Sequence, residues 1–252
     1  HPEWRGIRAA TYGQSEYVLE IPGIESPGHA ERIGAFLEAC STRTLVINGY
    51  PPKIEVLAQT LRRRFPQIDV HFVYHGTPAQ FHFGEGDIIG KMLSLADEGA
   101  VKKLGFVKKG LAEYFRGIGY SAEYVMNVLK EPFSPARAGP AADGQLHVGV
   151  FGSHVCHKNV ETQLMATLMV PGTVAHLADH PVAPYLRRHQ HRIVEHGLMP
   201  REPFLELLRT MHATTYASLV ECYPMTVLES LAAGAPVVTS HTSGIFDSRP
   251  DL

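Results

Sequence analysis

The chain of 252 residues carries a net charge of −2 with no clustered basic face, which excludes a broad nucleic-acid surface; its small basic groups at 62–64, 102–103 and 108–109 read as solvated ends of helices and strands. A hydrophobic content of 44% supports a sizeable core, and the length allows one large or two ordinary domains. No apolar run approaches the ~18 residues that a spanning helix needs, no signal peptide opens the sequence, and Cys40, Cys156 and Cys222 are spaced unlike a disulfide framework; these point to a reducing, cytoplasmic setting and leave only peripheral membrane contact open.

In chain order, the first half predicts strands over 17–21, 44–48, 69–74, 103–106 and 123–126, and helices over 29–40, 52–64, 87–95 and 109–116. Short apolar strands alternating with amphipathic helices imply an α/β fold with a parallel sheet covered on both faces. Residues 134–144 are rich in Pro, Ala and Gly without apolar periodicity, and read as a linker. The second half repeats the scheme, with strands over 147–151, 173–177, 192–195, 214–217 and 236–239 and helices over 159–169, 203–211 and 224–233. The expected organisation is therefore a first domain over 1–133, a linker over 134–145 and a second domain over 146–252.

Three places carry candidate chemistry. His75 and Gly76 follow directly on the strand at 69–74, at the carboxyl edge where α/β sheets gather functional residues. The strand at 147–151 ends at Gly152, and a helix begins near Lys158, so a glycine turn and a lysine sit at a strand-to-helix junction. Near the C-terminus, Glu221 and Glu229 flank Pro224, which suits the first turn of a helix that stops at Gly234. The first amides of that helix, at Met225, Thr226 and Val227, would then face outward with the positive end of the helix dipole, a seat for phosphate. Fifteen histidines raise the question of metal, but neither His154 with His157 nor His189 with His191 has a partner pair at zinc-ligand spacing, so no metal site is expected. His189 and His191 read instead as part of a polar loop or helix face ahead of the strand at 192–195.

The stretch Glu221-Cys-Tyr-Pro-Met-Thr-Val-Leu-Glu229, with the small-residue helix and the Gly-Ala-Pro-Val-Val segment after it, resembles the E-x7-E signature of retaining glycosyltransferases of the GT-B fold, the family that includes sucrose- and glycogen-synthase-like enzymes. The resemblance implies two Rossmann-like domains facing across a cleft, with the donor held mainly by the second and the acceptor by the first. It implies transfer of a sugar from a UDP-, GDP- or ADP-sugar to a glycan, lipid or small-molecule acceptor, with no metal or other cofactor. On this reading Lys158 and the helix amides meet the diphosphate, Glu221 the sugar hydroxyls and Glu229 the ribose. Met199, in Gly197-Leu-Met-Pro200, lies in the loop that meets the base, and His75 contacts the donor sugar from the opposite domain.

The sequence departs from the family in four ways. Ser153 stands where the family has an arginine, removing a bidentate phosphate clamp and leaving donor binding that is weaker, differently oriented or assisted by His154 or His157, and Asn159 stands where it has a second glycine. The glycine-rich loop of the first domain is not recognisable in residues 1–50, and the chain stops soon after the Pro-Val-Val segment, which reads as a shortened second domain or a piece of a longer protein. The alternatives are a catalytically weak nucleotide-sugar-binding or partner-binding module, and, third, a Rossmann dehydrogenase, whose Gly-x-Gly-x-x-Gly fingerprint is missing.

Overall fold

Two separate parallel sheets organise the chain in the computed structural model, which describes residues 17–21, 23–79, 87–129, 143–153, 155–178 and 180–247, together with Thr11. The chain divides into two compact units, His1–Val128 with Gly244–Leu252 and Leu129–Ser243. The expected linker falls almost wholly on 130–142, outside the described residues.

In the first unit, helix α1 (Pro27–Ala39) starts where sequence chemistry dictates: the Ser26 hydroxyl accepts from the His29 amide at 3.2 Å and Pro27 opens the first turn. Its buried face is Ala30, Ile33, Gly34 and Leu37, and Gly34 has to be small because a Cβ there would lie 2.3 Å from the Phe65 ring. Strand β1 (Thr44–Asn48), helix α2 (Ile54–Arg64), strand β2 (Asp69–Tyr74), helix α3 (Ile88–Asp97), strand β3 (Lys103–Phe106), helix α4 (Lys109–Gly117) and strand β4 (Ala122–Tyr124) follow. The strands pair in parallel in the order β1-β2-β3-β4.

That monotonic order decides where the connecting helices lie. Right-handed crossovers between strands added successively in one direction place every connecting helix on the same face. Accordingly Ile47, Val70, Phe72, Tyr74, Leu104 and Phe106 form one core with α1 to α4. The opposite face carries Val46 at 49% exposure, His71, an ion pair of Lys103 and Glu123 at 2.6 Å and the buried Val73, while the helices α1 to α4 of the described residues gather on the first face. The strand expected over 17–21 is absent. Its alternating Tyr17, Leu19 and Ile21 imitate strand periodicity, but Tyr17 is 91% exposed and no strand pairs with the segment.

The second unit comprises β5 (Leu146–Val150), a 3-10 turn (Cys156–Lys158), α5 (Val160–Met169), β6 (Thr173–Leu177), a second 3-10 segment (Pro184–Arg192), β7 (Ile193–Glu195), α6 (Arg201–Thr210), β8 (Ala213–Tyr216), α7 (Met225–Ala232) and β9 (Val237–Thr239). Its parallel sheet runs β7-β6-β5-β8-β9, so the chain starts in the middle, builds outward one way, then returns to build the other. Helices therefore cover both faces: α5 and the 3-10 segment pack on Val150, Ala175, Leu177 and Ile193, whereas α6 and α7 pack with Phe151. The polar stretch expected before β7 is the second 3-10 segment, and Arg192 fastens its end by donating to the carbonyls of Leu168, Val170 and Thr173.

The histidines form a row across one face of this sheet. His176 lies 2.8 Å from His147 and 2.9 Å from His196, ring nitrogen to ring nitrogen, while His147 reaches Asp143 at 3.0 Å and its backbone amide donates to His212 Nδ1. Neutral imidazoles in the Nε2–H form satisfy this chain, each donating to the next and the last to the carboxylate. Burial, reinforced by its two histidine neighbours, lowers the His176 pKa from 6.5 to about 4. The unfolded chain therefore binds more protons between these values. The resulting contribution to stability is complete above about pH 6.5 and is lost as pH falls towards 4. Denaturant unfolding followed between pH 8 and pH 4 should show this decline, and His176→Gln should flatten it; an unchanged slope in the variant would show that His176 is not its source.

Candidate functional site

The crevice of a doubly wound sheet opens at the carboxyl ends of the two strands where the order reverses, here β5 and β8. Both loops that leave these strands carry residues singled out from the sequence. After β5 the chain passes Gly152 and turns through Cys156–Lys158. A Cβ on Gly152 would lie 2.5 Å from Val160 Cγ2 and 3.2 Å from Lys158 Cβ, so only glycine lets the turn and the start of α5 close down on the strand end. Asn159 has φ of +55°, a left-handed conformation that glycine and asparagine tolerate best, which accounts for its standing at a glycine position.

The loop after β8 is stitched to this turn. Asn159 Nδ2 donates to the Ala217 carbonyl at 3.2 Å, Gln163 takes the Ala217 amide at 2.8 Å while donating to the Lys158 carbonyl at 2.7 Å, and the Leu219 amide donates to the His157 carbonyl at 2.8 Å. Held between them, Lys158 Nζ donates to Glu221 Oε2 at 2.5 Å, with the lysine side chain 16% and the glutamate 6% exposed. Glu221 Oε1 accepts from the Cys222 amide at 3.0 Å.

Burial opposes the charge on Lys158, but the Tyr216 oxygen, which accepts a hydrogen bond from it, and the Glu221 carboxylate outweigh burial, and its pKa stands above the ordinary lysine value. Tyr216, the last residue of β8, lies under the same pair, with the ammonium 5.4 Å from its ring centroid. Burial and the neighbouring Glu221 raise its pKa, so it remains a phenol. The same two causes, in the same order, push the Cys222 thiol up to about 12, leaving it inert as a nucleophile at neutral pH.

Helix α7 begins one residue after Pro224, and the amides of Met225 and Thr226 have no acceptor among the described residues. The expectation for Val227 is corrected: its amide donates to the Pro224 carbonyl at 3.1 Å, because the first turn closes tightly. Met225 and Val227 are buried and hold the helix against its unit, while Thr226 is half-buried. Glu229, 6% exposed, is paired with Arg201 at the start of α6 rather than with Lys158. Met199 is half-buried in the loop just before α6, and Ser153 is exposed, its carbonyl accepting from the Val155 amide. His157 is buried and contributes its carbonyl to the stitching; His154 lies outside the described residues.

His75 belongs to the first unit, where its Nε2 meets Asn48 Oδ1 at 3.0 Å and burial lowers its pKa to about 4, so the imidazole is neutral. The structure thus brings together Gly152, Lys158 and Glu221. It adds Tyr216, Gln163 and Arg201, which the sequence reading missed because none belongs to the motif. No group of three or more His, Cys, Asp or Glu placed to hold a metal occurs among the described residues.

No family model and no curated protein matches the sequence. Solved structures do match the fold. HepE of Anabaena in complex with UDP-glucose aligns with a TM-score of 0.63 at 13% identity, over 90% of this chain and 68% of that one. The pneumococcal O-GlcNAc transferase GtfA, in complex with UDP and GlcNAc, aligns at 0.58 and 11% over 82% of this chain, and sucrose-phosphate synthase of Thermosynechococcus elongatus at 0.59 and 13% over 92%. The chain spans 44% of the length of GtfA and 65% of that of the synthase. At these identities the likeness defines the architecture: two Rossmann-like α/β units of the GT-B fold, shorter than those glycosyltransferases. No helix among the described residues is long and apolar enough to cross a membrane.

The buried pair makes a direct prediction. In Glu221→Gln the compensating carboxylate is gone while burial and Tyr216 remain, so the Lys158 pKa should fall. Carbon-13 NMR of the lysine ε-carbons across a pH titration reads this; a pKa that does not move would mean that Glu221 is not what holds the charge.

Proposed function

We propose that the chain is the nucleotide-sugar-handling part of a retaining glycosyltransferase, one that moves a sugar from a UDP-, GDP- or ADP-sugar to an acceptor hydroxyl without a metal ion. The observation that carries this reading is the buried Lys158–Glu221 pair at the reversal of strand order, beside the open amides of Met225 and Thr226. The fold's likeness to glycosyltransferases crystallised with UDP and UDP-glucose supports it.

In this mechanism the diphosphate takes the place of Glu221 as the counter-charge of Lys158. Negative charge grows on the departing nucleoside diphosphate as the glycosidic bond breaks, and a fixed ammonium with two oriented amides favours that state over the ground state. Glu221, released from the lysine, accepts hydrogen bonds from sugar hydroxyls, and Glu229 accepts from the ribose. Tyr216 stays protonated under the pair and keeps a donor there throughout. Gly152 lets the diphosphate approach the strand end, the loop of Met199 meets the base, and the acceptor, a glycan, lipid or small molecule, falls to the first unit. With Ser153 in place of an arginine, Lys158 carries more of the diphosphate's charge.

Calorimetric titration of UDP, GDP and ADP in excess chelator should show one of them binding as well as it does with magnesium. Glu221→Gln should keep that nucleotide affinity while transfer or donor hydrolysis falls by about a hundredfold or more. Lys158→Ala should lose both. Strict dependence on magnesium or manganese contradicts the proposal, and weak binding by Glu221→Gln with normal binding by Lys158→Ala would reverse the assigned roles.

A further inference from the structure

Arg201 is out of place on its own helix. It is the first residue of α6, where the helix dipole favours acids and disfavours cations, and α6 has no side-chain cap that would offset it. Its guanidinium instead crosses to α7 and donates through Nη1 to Glu229 Oε1, the one carboxylate within that helix, whose side chain is 7% exposed against 32% for the arginine. Arg201 also directly follows Gly197-Leu-Met-Pro200, so a single side chain ties the end of that loop to the buried carboxylate. A glutamate buried on a helix has rotamer freedom to lose and a charge to balance, and a rigid guanidinium fork supplies both restraint and counter-charge, which a lysine does less well.

We propose that Arg201 is a positioning residue for nucleotide recognition: by fixing the Glu229 carboxylate beside the loop of Met199, it makes the site selective for a ribose over a 2′-deoxyribose. This rests on the reading of Glu229 as the ribose acceptor. A site built around a buried acceptor rejects the analogue that lacks the matching hydroxyl, but only while the acceptor is held in place. Once untethered, the carboxylate can turn to solvent or to another donor, and the hydroxyl loses its privileged partner.

The test compares UDP, GDP and ADP with their 2′-deoxy counterparts by calorimetry on the intact chain, in wild type, Arg201→Gln and Arg201→Lys, with inorganic pyrophosphate as a second probe. For the nucleotide that binds, wild type should prefer the ribose form by about tenfold or more. Arg201→Gln should reduce that preference to about twofold or less while pyrophosphate affinity stays unchanged, and Arg201→Lys should restore part of it. Unchanged pyrophosphate affinity separates a local effect from a misfolded unit. If wild type binds no nucleotide, or binds both sugars equally, the reading of Glu229 fails and this inference falls with it. If wild type discriminates and Arg201→Gln discriminates as well, or if Arg201→Gln loses pyrophosphate in step with the nucleotides, the inference alone is overturned.

Discussion

A lysine ammonium buried between two strand ends cannot stay charged without an anion beside it, and the contact between Lys158 and Glu221 is the constraint on which the second unit's crevice depends. Removing two charges from water costs several kcal/mol per ion in typical proteins, and mutual attraction offsets this only with good geometry and further hydrogen bonds. Such a pair is therefore poor evidence for stability and better evidence of a task. Here the surrounding polar groups supply the geometry. Asn159 and Gln163 lock the turn after β5 to the loop after β8, which sets the two charged side chains against each other. On the proposed mechanism the cation exchanges this partner for the charged leaving group.

The two units reach their sheets by different routes, and the difference decides where a site can form. The second starts at its central strand and reverses direction, which leaves the loops after β5 and β8 diverging to opposite faces with a crevice between them. The first adds strands in one direction, keeps its helices on one face, and creates no such reversal among the described strands. Its carboxyl edge still gathers polar groups, with neutral His75 held by Asn48. The features to which we assign diphosphate binding concentrate in the second unit, where strand order, glycine closeness and helix amides coincide.

Much of this was legible in the sequence because local rules and global fold agree. The strands at Thr44–Asn48, Asp69–Tyr74, Lys103–Phe106 and Thr173–Leu177 occur where apolar runs between turn signals placed them, and Gly152, Lys158, Glu221 and Glu229 sit at loop or helix positions that their spacing implied. Periodicity failed at Tyr17–Ile21, where alternation exists without a neighbouring strand to use it. Helix–strand alternation fixes parallelism but not the order of strands, and order decides which face the helices occupy, so the gathering of α1 to α4 on one face among the described residues had no signal in the sequence. Within the site, pairing was invisible. No spacing announces that Lys158 reaches Glu221, that Arg201 reaches Glu229, or that Tyr216 lies beneath the first pair, since each contact joins elements separated by dozens of residues. Asn159 shows the converse: an apparent loss of a glycine retains the left-handed backbone that the position needs.

The central claim is that the crevice between the ends of β5 and β8 receives a nucleoside diphosphate, with Lys158 changing partners from a carboxylate to a phosphate. A crystal structure of the chain soaked with UDP, GDP or ADP at millimolar concentration tests it most directly. The account predicts a diphosphate within hydrogen-bonding distance of Lys158 Nζ and of the Met225 and Thr226 amides, with the Lys158–Glu221 contact lengthened from 2.5 Å. A nucleotide bound elsewhere, with that contact unchanged, would contradict it.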